Sequence, residues 1–282
     1  MTTITLLNPG SMGAPLASHA VSAGHRVLWV SRGRSTSTQQ RAHQAGLTTC
    51  DSLEGALAES QMVLSICPPH AAEDVAIAVS RHRFTGTYVD ANAISPQRMR
   101  RISEHLPAEC TVLDGCIVGP PPARGRTARL YLSGLSEASS TVEKLFSGSD
   151  VHVRRAGEEI GAASALKMAF ASYQKAARTL AGVAHALAHH HGVADLLTEE
   201  AATMPANILS DPGYLPSVAA RAWRWAPEMR EVADTLRGAD LPDDIASATA
   251  EVMKLWERDK DRADLPLHEA LAHLYTGDEA AN

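Results

Sequence analysis

The residues Asn8, Pro9, Gly10, Ser11, Met12 and Gly13 make a glycine-bearing turn between an apolar run (Ile4, Leu6, Leu7) and an amphipathic segment (Leu16, Ala20, Val21). Strand, tight turn and helix in that order form a phosphate-binding unit, because backbone N–H groups and a helix N-terminus face the same anion. Gly10 lets the backbone approach a phosphate, and Gly13 lets the helix pack close to the strand. The usual first glycine of G-x-G-x-x-G is replaced by Asn8, a residue that tolerates left-handed backbone geometry. A second apolar run, Arg26 to Val30, leads into Ser31-Arg32-Gly33-Arg34-Ser35. NAD-preferring folds carry an acidic residue there to hold the ribose hydroxyls. Ser31, Arg32 and Arg34 offer guanidinium forks and hydroxyls instead, which suit a 2′-phosphate. The expected cofactor is therefore NADP in preference to NAD, and it restricts the chemistry to redox.

The elements that must hold this turn alternate along the first half of the chain. Helices are expected near Ser37–Ala45, Ser52–Glu59 and Ala71–Ser80, from Ser95-Pro96, and over Glu137–Phe146. Strands are expected over Met62–Cys67, Thr87–Ala91, Thr111–Asp114, Arg129–Ser133 and Val151–Arg154. This alternation predicts a mostly parallel, doubly wound α/β sheet of the Rossmann type. From Glu158 the pattern becomes helical: residues 158–191 read as one long Ala-rich helix stopped by Gly192, and nearly everything after it is helical. The expected division is 1–156, a dinucleotide-binding domain, and 157–282, an all-α domain joined through that interdomain helix.

Composition narrows the classes further. The chain has 282 residues and a net charge of −6, which argues against nucleic-acid or anionic-membrane partners. Its four cysteines lack metal-ligand spacing and read as reduced thiols of a soluble cytoplasmic protein. No metal is expected. His189-His190-His191 end the long helix, where consecutive side chains point about 100° apart and cannot converge on one ion. Their charge suits a helix C-terminus instead.

NPGSMG at 8–13, DANAISP at 90–96, DGCIVGPPP at 114–122 and GAASALKMAFASYQK at 161–175 together resemble the β-hydroxyacid dehydrogenase superfamily, which includes 6-phosphogluconate and 3-hydroxyisobutyrate dehydrogenases. AWRWAPEMREVADTL at 222–236 is similar to the phosphogluconate-dehydrogenase-like C-terminal domain of one branch. The resemblance implies that Lys167 is the general acid/base of hydride transfer between nicotinamide and a small alcohol or carbonyl, ideally a partly buried lysine of lowered pKa. It implies cofactor contacts from Cys67, Pro68, Pro69 and Asn92, with Asn92 also facing substrate. Val118, Gly119 and Pro120 stand where many members have a substrate-binding Ser-Gly-Gly, and Ala171 stands where they have asparagine. Tyr173 and Lys175 are the polar candidates to take over substrate orientation, or else interhelical packing groups. The tryptophans Trp223 and Trp225 are expected in the core or a dimer interface, with Glu228 or Glu231 towards the substrate as the minor alternative. A homodimer through the helical domain is implied. Two other functions remain open at this point. One is imine reduction, whose enzymes carry Asp or Tyr in place of Lys167. The other is dinucleotide binding without turnover.

Overall fold

The structure is a computed structural model that describes residues 1–204, 208 and 211–276. The chain packs as two compact units, Met1–Lys167 and Met168–Asn282. The division falls after Lys167 rather than at the composition change near Gly157. Residues 161–167 hydrogen-bond back to the first unit through Asp114 and Ile117. The last six residues of the expected helical domain lie outside the described residues.

The first unit is built on strands β1 (Thr3–Leu7), β2 (Arg26–Val30), β3 (Thr48–Cys50), β4 (Met62–Ser65), β5 (Thr87–Asp90), β6 (Thr111–Val118), β7 (Ala128–Gly134) and β8 (Val151–Gly157). They form one sheet in the order β3-β2-β1-β4-β5-β6-β7-β8. Every pairing is parallel except β6 with β7. Six helices cover it: α1 (Gly13–Ser22), α2 (Thr36–Gln44), α3 (Leu53–Glu59), α4 (Ala72–Ser80), α5 (Pro96–His105) and α6 (Ser136–Leu145). One face of the sheet packs Leu6, Leu64, Leu113 and Leu130 against Leu16 of α1 and Phe146. The other packs Val63 and Tyr88 against Val79 of α4 and Met99 and Ile102 of α5. Each such side chain contributes about 1.5–3 kcal/mol by leaving water.

The strand order turns at β1, which has β2 on one side and β4 on the other. In open α/β sheets the ligand crevice lies at the carboxyl ends of the strands around such a switch. The Asn8–Gly13 turn and Cys67-Pro68-Pro69 leave from those ends. β6 runs four residues past the expected end at Asp114. Gly115 permits this, since a Cβ there would come within 2.8 Å of the Asp90 carbonyl.

The second unit is helical: the remainder of α7 (Ala162–His190), then α8 (Ala194–Ala202), α9 (Leu215–Arg237), α10 (Asp244–Lys254) and α11 (Leu267–Ala272). Gly192, at φ +70°, ends the long-helix region as the sequence predicts. On α9, Val218, Ala222, Trp225, Met229 and Val232 are buried at alternating spacings of four and three, the stripe of a core-facing helix. Trp256 is fully buried and donates from its indole N–H to the Ala270 carbonyl at 2.7 Å. Gly182 admits that ring, because a Cβ there would sit 3.0 Å from it. No helix among the described residues is long and apolar enough to cross a membrane.

Candidate active site

The turn after β1 has the geometry that its residues suggest. Asn8 sits at φ +73°, the left-handed conformation that asparagine tolerates. Its side-chain amide donates to the Ile66 carbonyl at 3.3 Å, tying the turn to the end of β4. The Gly10 N–H donates to the Asn8 carbonyl at 2.8 Å, which curls the backbone back on itself. A Cβ on Gly13 would lie 2.8 Å from that same carbonyl, so only glycine lets α1 begin this close. Serine hydroxyls cap α2, α3 and α5 from Ser35, Ser52 and Ser95. α1 has no side-chain cap and no acidic residue in its first turn. Its N-terminal end thus presents donors and the positive end of its dipole towards a ligand.

Beyond β2, the Arg34 N–H closes a turn onto the Ser31 carbonyl at 3.1 Å, with Gly33 at φ +74°. Arg32 and Arg34 are exposed. Arg41 on α2 adds a cation that the sequence reading did not single out: its Nε donates to the Pro9 carbonyl at 3.4 Å. The first carboxylate in the chain is Asp51; of the four arginines before it, Arg26 is ion-paired with Glu59, while Arg32, Arg34 and Arg41 have no ion pair among the described residues. The uncapped helix, left-handed turn and unopposed arginines fit a phosphorylated dinucleotide.

At the ends of β4 and β5 a buried polar network fixes the next loop. The Cys67 N–H donates to Asn92 Oδ1 at 2.6 Å. Asn92 Nδ2 donates to Ser65 Oγ at 3.1 Å and to Asp90 Oδ2 at 2.9 Å, while its own N–H reaches Asp90 Oδ1 at 3.0 Å. Asn92 is therefore buried, with its amide committed to the protein on every side. Burial pushes the Asp90 carboxyl up to about 7, against the pull of its Asn92 donors. Burial, then the Asp90 charge, pushes the Cys67 thiol up to about 12, leaving it an unreactive thiol. Pro68 and Pro69 run on from Cys67, and Arg98 of α5 donates to the Pro69 carbonyl at 3.0 Å.

Asp114 organises the end of β6. Its Oδ2 accepts from Ser133 Oγ at 3.0 Å, the Gly161 N–H at 2.9 Å and the Ser164 N–H at 3.0 Å. Its Oδ1 accepts the Ser164 hydroxyl at 2.7 Å. One turn further along α7, Lys167 is half-buried and donates from Nζ to the Ile117 carbonyl at 2.9 Å. Lys167 thus stands beside the last residues of β6, with Val118 buried next to Ile117. Gly119 follows at φ +118°, and Pro120 is exposed. Burial pushes the nearby Cys116 thiol up to about 12 despite the Lys167 charge.

In the second unit Ala171 is buried and Tyr173 is exposed. Lys175 is buried, ion-paired with Glu228 and 5.5 Å from the Trp225 ring centroid. Trp225 and Glu231 are buried; Trp223 is half-buried and donates to Asp261 at 3.2 Å. Asp259, Glu269 and His273 bring three potential ligand atoms within 4.8 Å of one another. Arg262 already supplies a cation there, bonded to Glu269 and 3.4 Å from Asp259.

A mostly parallel sheet whose order turns at β1, with a glycine-bearing turn and a helix N-terminus at that point, has the architecture of a dinucleotide-binding domain. The family model for the NAD binding domain of 6-phosphogluconate dehydrogenase matches residues 3–152, and a domain of unknown function, DUF1932, matches residues 188–256. The chain belongs to that NAD-binding family, within the β-hydroxyacid dehydrogenase superfamily. An uncharacterized 28.5 kDa protein of Methanothermus fervidus is 27% identical over 168 residues, 60% of this chain and 64% of that protein. Conserved protein MTH1747, of unknown function, is 29% identical over 91% of this chain and 98% of its own, with a TM-score of 0.67. Mycobacterium tuberculosis 3-hydroxyisobutyrate dehydrogenase shares the fold at 19% identity, covering 97% and 99% of the two chains with a TM-score of 0.76. An imine reductase from Pseudomonas sp. shares it at 15% identity over 97% and 99%, with a TM-score of 0.57.

Proposed function

We propose that this chain is a cytoplasmic NADP-dependent oxidoreductase that interconverts a small alcohol and its carbonyl, with Lys167 as general acid/base. The observation that carries the reading is the placement of the Lys167 amine, 2.9 Å from the Ile117 carbonyl at the end of β6. An ammonium has three donors, so one N–H keeps Ile117 while the others remain for a substrate oxygen. Asn8 to Gly13 hold the pyrophosphate in this reading, Ser31, Arg32 and Arg34 the 2′-phosphate, and Cys67 to Pro69 the adjoining ribose. Asn92 acts by fixing the Cys67 N–H. The nicotinamide, when bound, supplies or accepts the hydride. Negative charge then develops on the carbonyl oxygen, and Lys167 neutralises it by giving up a proton from Nζ. In the oxidative direction the same amine takes the hydroxyl proton. A protonated lysine favours an oxygen substrate over an iminium ion, which its charge would repel.

The helical unit supports a homodimer. Phe170, Tyr173, Leu180 and Val183 are exposed on one side of α7, and a second copy of the chain is the occupant proposed for that apolar side. Tyr173 then serves packing rather than substrate orientation.

Fluorescence titration with NADPH and NADH, followed by a panel of carbonyl and imine substrates, tests the function. NADPH is expected to bind the more tightly. Lys167→Ala is expected to lower kcat on the active carbonyl by about 100-fold or more while leaving NADPH affinity unchanged. Turnover that survives Lys167→Ala, or activity confined to imines, would overturn the assignment.

A further inference from the structure

One part of the helical unit concentrates cationic side chains beside aromatic rings. Lys175, Arg178, Arg221 and Arg224 come together around Tyr214 and Trp225, and Glu228 takes Lys175. The Arg178 guanidinium lies 3.7 Å from the centre of the Tyr214 ring, and that of Arg221 lies 5.3 Å from the same ring. Arg221 also donates from Nη2 to the Tyr214 hydroxyl at 2.8 Å, and stands 5.1 Å from the Trp225 ring. Neither Arg178 nor Arg221 is ion-paired among the described residues. The Nε atoms of both are buried with no acceptor. Burial, then the Arg221 charge, holds the neighbouring Arg224 below the usual guanidinium range.

A π face attracts a cation but supplies no lone pair for an N–H. Two guanidiniums sharing one ring still repel each other, and each buried Nε–H still lacks a partner. An oxyanion supplies the opposing charge that the two guanidiniums lack, and the guanidinium fork matches its geometry. We propose that Arg178 and Arg221, spaced by Tyr214, form an oxyanion-binding site in the helical unit. The ligand is a carboxylate or phosphate group carried by a small molecule. Its assignment to the substrate rests on the oxidoreductase reading above, whereas the site itself rests on the arginine geometry.

The test uses the full chain at constant ionic strength, without and with saturating NADPH, so that the cofactor's own phosphate sites are filled in one arm. Inorganic phosphate and acetate are titrated by calorimetry against wild type, Arg178→Gln, Arg221→Gln and Arg178→Lys, with circular dichroism to confirm folding. Saturable binding of at least one anion is expected in both arms, weakened about tenfold or more by either glutamine variant. Arg178→Lys keeps charge without the fork and is expected to bind at an intermediate level. Preference for phosphate or for acetate identifies which oxyanion the site takes. Anion binding that is equal in wild type and both glutamine variants, or absent from wild type, overturns the site. Loss of NADPH binding alongside intact, arginine-dependent anion binding would instead remove the oxidoreductase reading and leave the site standing.

Discussion

The Asp114 carboxylate takes both the N–H and the hydroxyl of Ser164, three residues before Lys167 on α7. A buried acid in β6 thereby sets where the helix starts and how it is rotated. The carboxylate also complements the positive end of the helix dipole. The Lys167 bond to Ile117, three residues after Asp114 on the same strand, closes a second link between the two elements. Strand and helix are gripped at two points, and the amine is held in one place.

Asp114→Asn tests this positioning role. Asparagine keeps a carbonyl oxygen for the N–H groups of Gly161 and Ser164, but that acceptor is neutral and its NH2 faces the Ser164 hydroxyl. Hydrogen bonds to a charged acceptor contribute about 1.5–3 kcal/mol each, so the variant is expected to lose about 2–4 kcal/mol of stability in urea. In steady-state assays kcat should fall several-fold more than KM rises, because the amine is displaced rather than the binding surface removed. A variant with normal kcat and merely lower stability would reduce Asp114 to a structural residue.

Asp90 makes stability depend on pH in a defined direction. Its folded carboxyl titrates at about 7, above the ordinary 3.8, because burial, and to a smaller extent the Asp114 charge, disfavour its ionised form against the pull of its Asn92 donors. Between those values the folded chain holds a proton that the unfolded chain has lost. Stability is therefore highest below about 4 and falls as pH rises towards 7, by about 1.4 kcal/mol per pH unit from this group. The raised Asp114 carboxyl acts in the same direction. Urea titrations at pH 5 and pH 7 should show the decline in wild type and a shallower one in Asp90→Asn. Equal slopes in the two proteins would refute the prediction.

Much of the first unit is legible because its signals are local. Leu6 before Asn8-Pro9-Gly10, Ser95-Pro96 before an amphipathic run, and Gly24 and Gly192 after helices each mark an end within a few residues. β3 carries no such signal, since Thr48–Cys50 is short, polar and at the sheet edge. The extension of β6 to Val118 depends on β7 pairing, which no residue of DGCIVG announces. The site is less legible for the same reason. Asp114 meets Ser164 across fifty positions, and Lys175 meets Glu228 across fifty-three. Residue type alone marks Asn92 as a ligand-binding amide, whereas the fold surrounds it with Cys67, Ser65 and Asp90. Arg41 was legible in principle from the acid-free first fifty residues.

Arg32→Ala and Arg34→Ala should separate the two nicotinamide cofactors. A guanidinium–phosphate contact is worth about 1.5–3 kcal/mol, so each substitution is expected to weaken NADPH by about 10- to 100-fold and NADH hardly at all. Both side chains are exposed, so thermal stability should not move. Equal losses for both cofactors would place the arginines on the shared pyrophosphate instead of the 2′-phosphate.

The turn itself makes opposite predictions at its two ends. Asn8 adopts φ +73° without a glycine, and asparagine bears that conformation with less strain than alanine does. Asn8→Gly is expected to be nearly neutral, because relief of strain offsets the loss of a 3.3 Å bond to Ile66. Asn8→Ala keeps the strain and loses the bond, at a cost of about 1–2 kcal/mol. Gly13→Ala forces a methyl to within 2.8 Å of the Asn8 carbonyl, so either the turn opens or α1 moves away from β1. Both movements displace the N–H groups proposed to hold the pyrophosphate. NADPH affinity should then fall at least tenfold, even where circular dichroism shows a folded protein. If instead Gly13→Ala binds NADPH normally while Asn8→Gly fails, the asparagine side chain and not the glycine geometry would be what holds the cofactor.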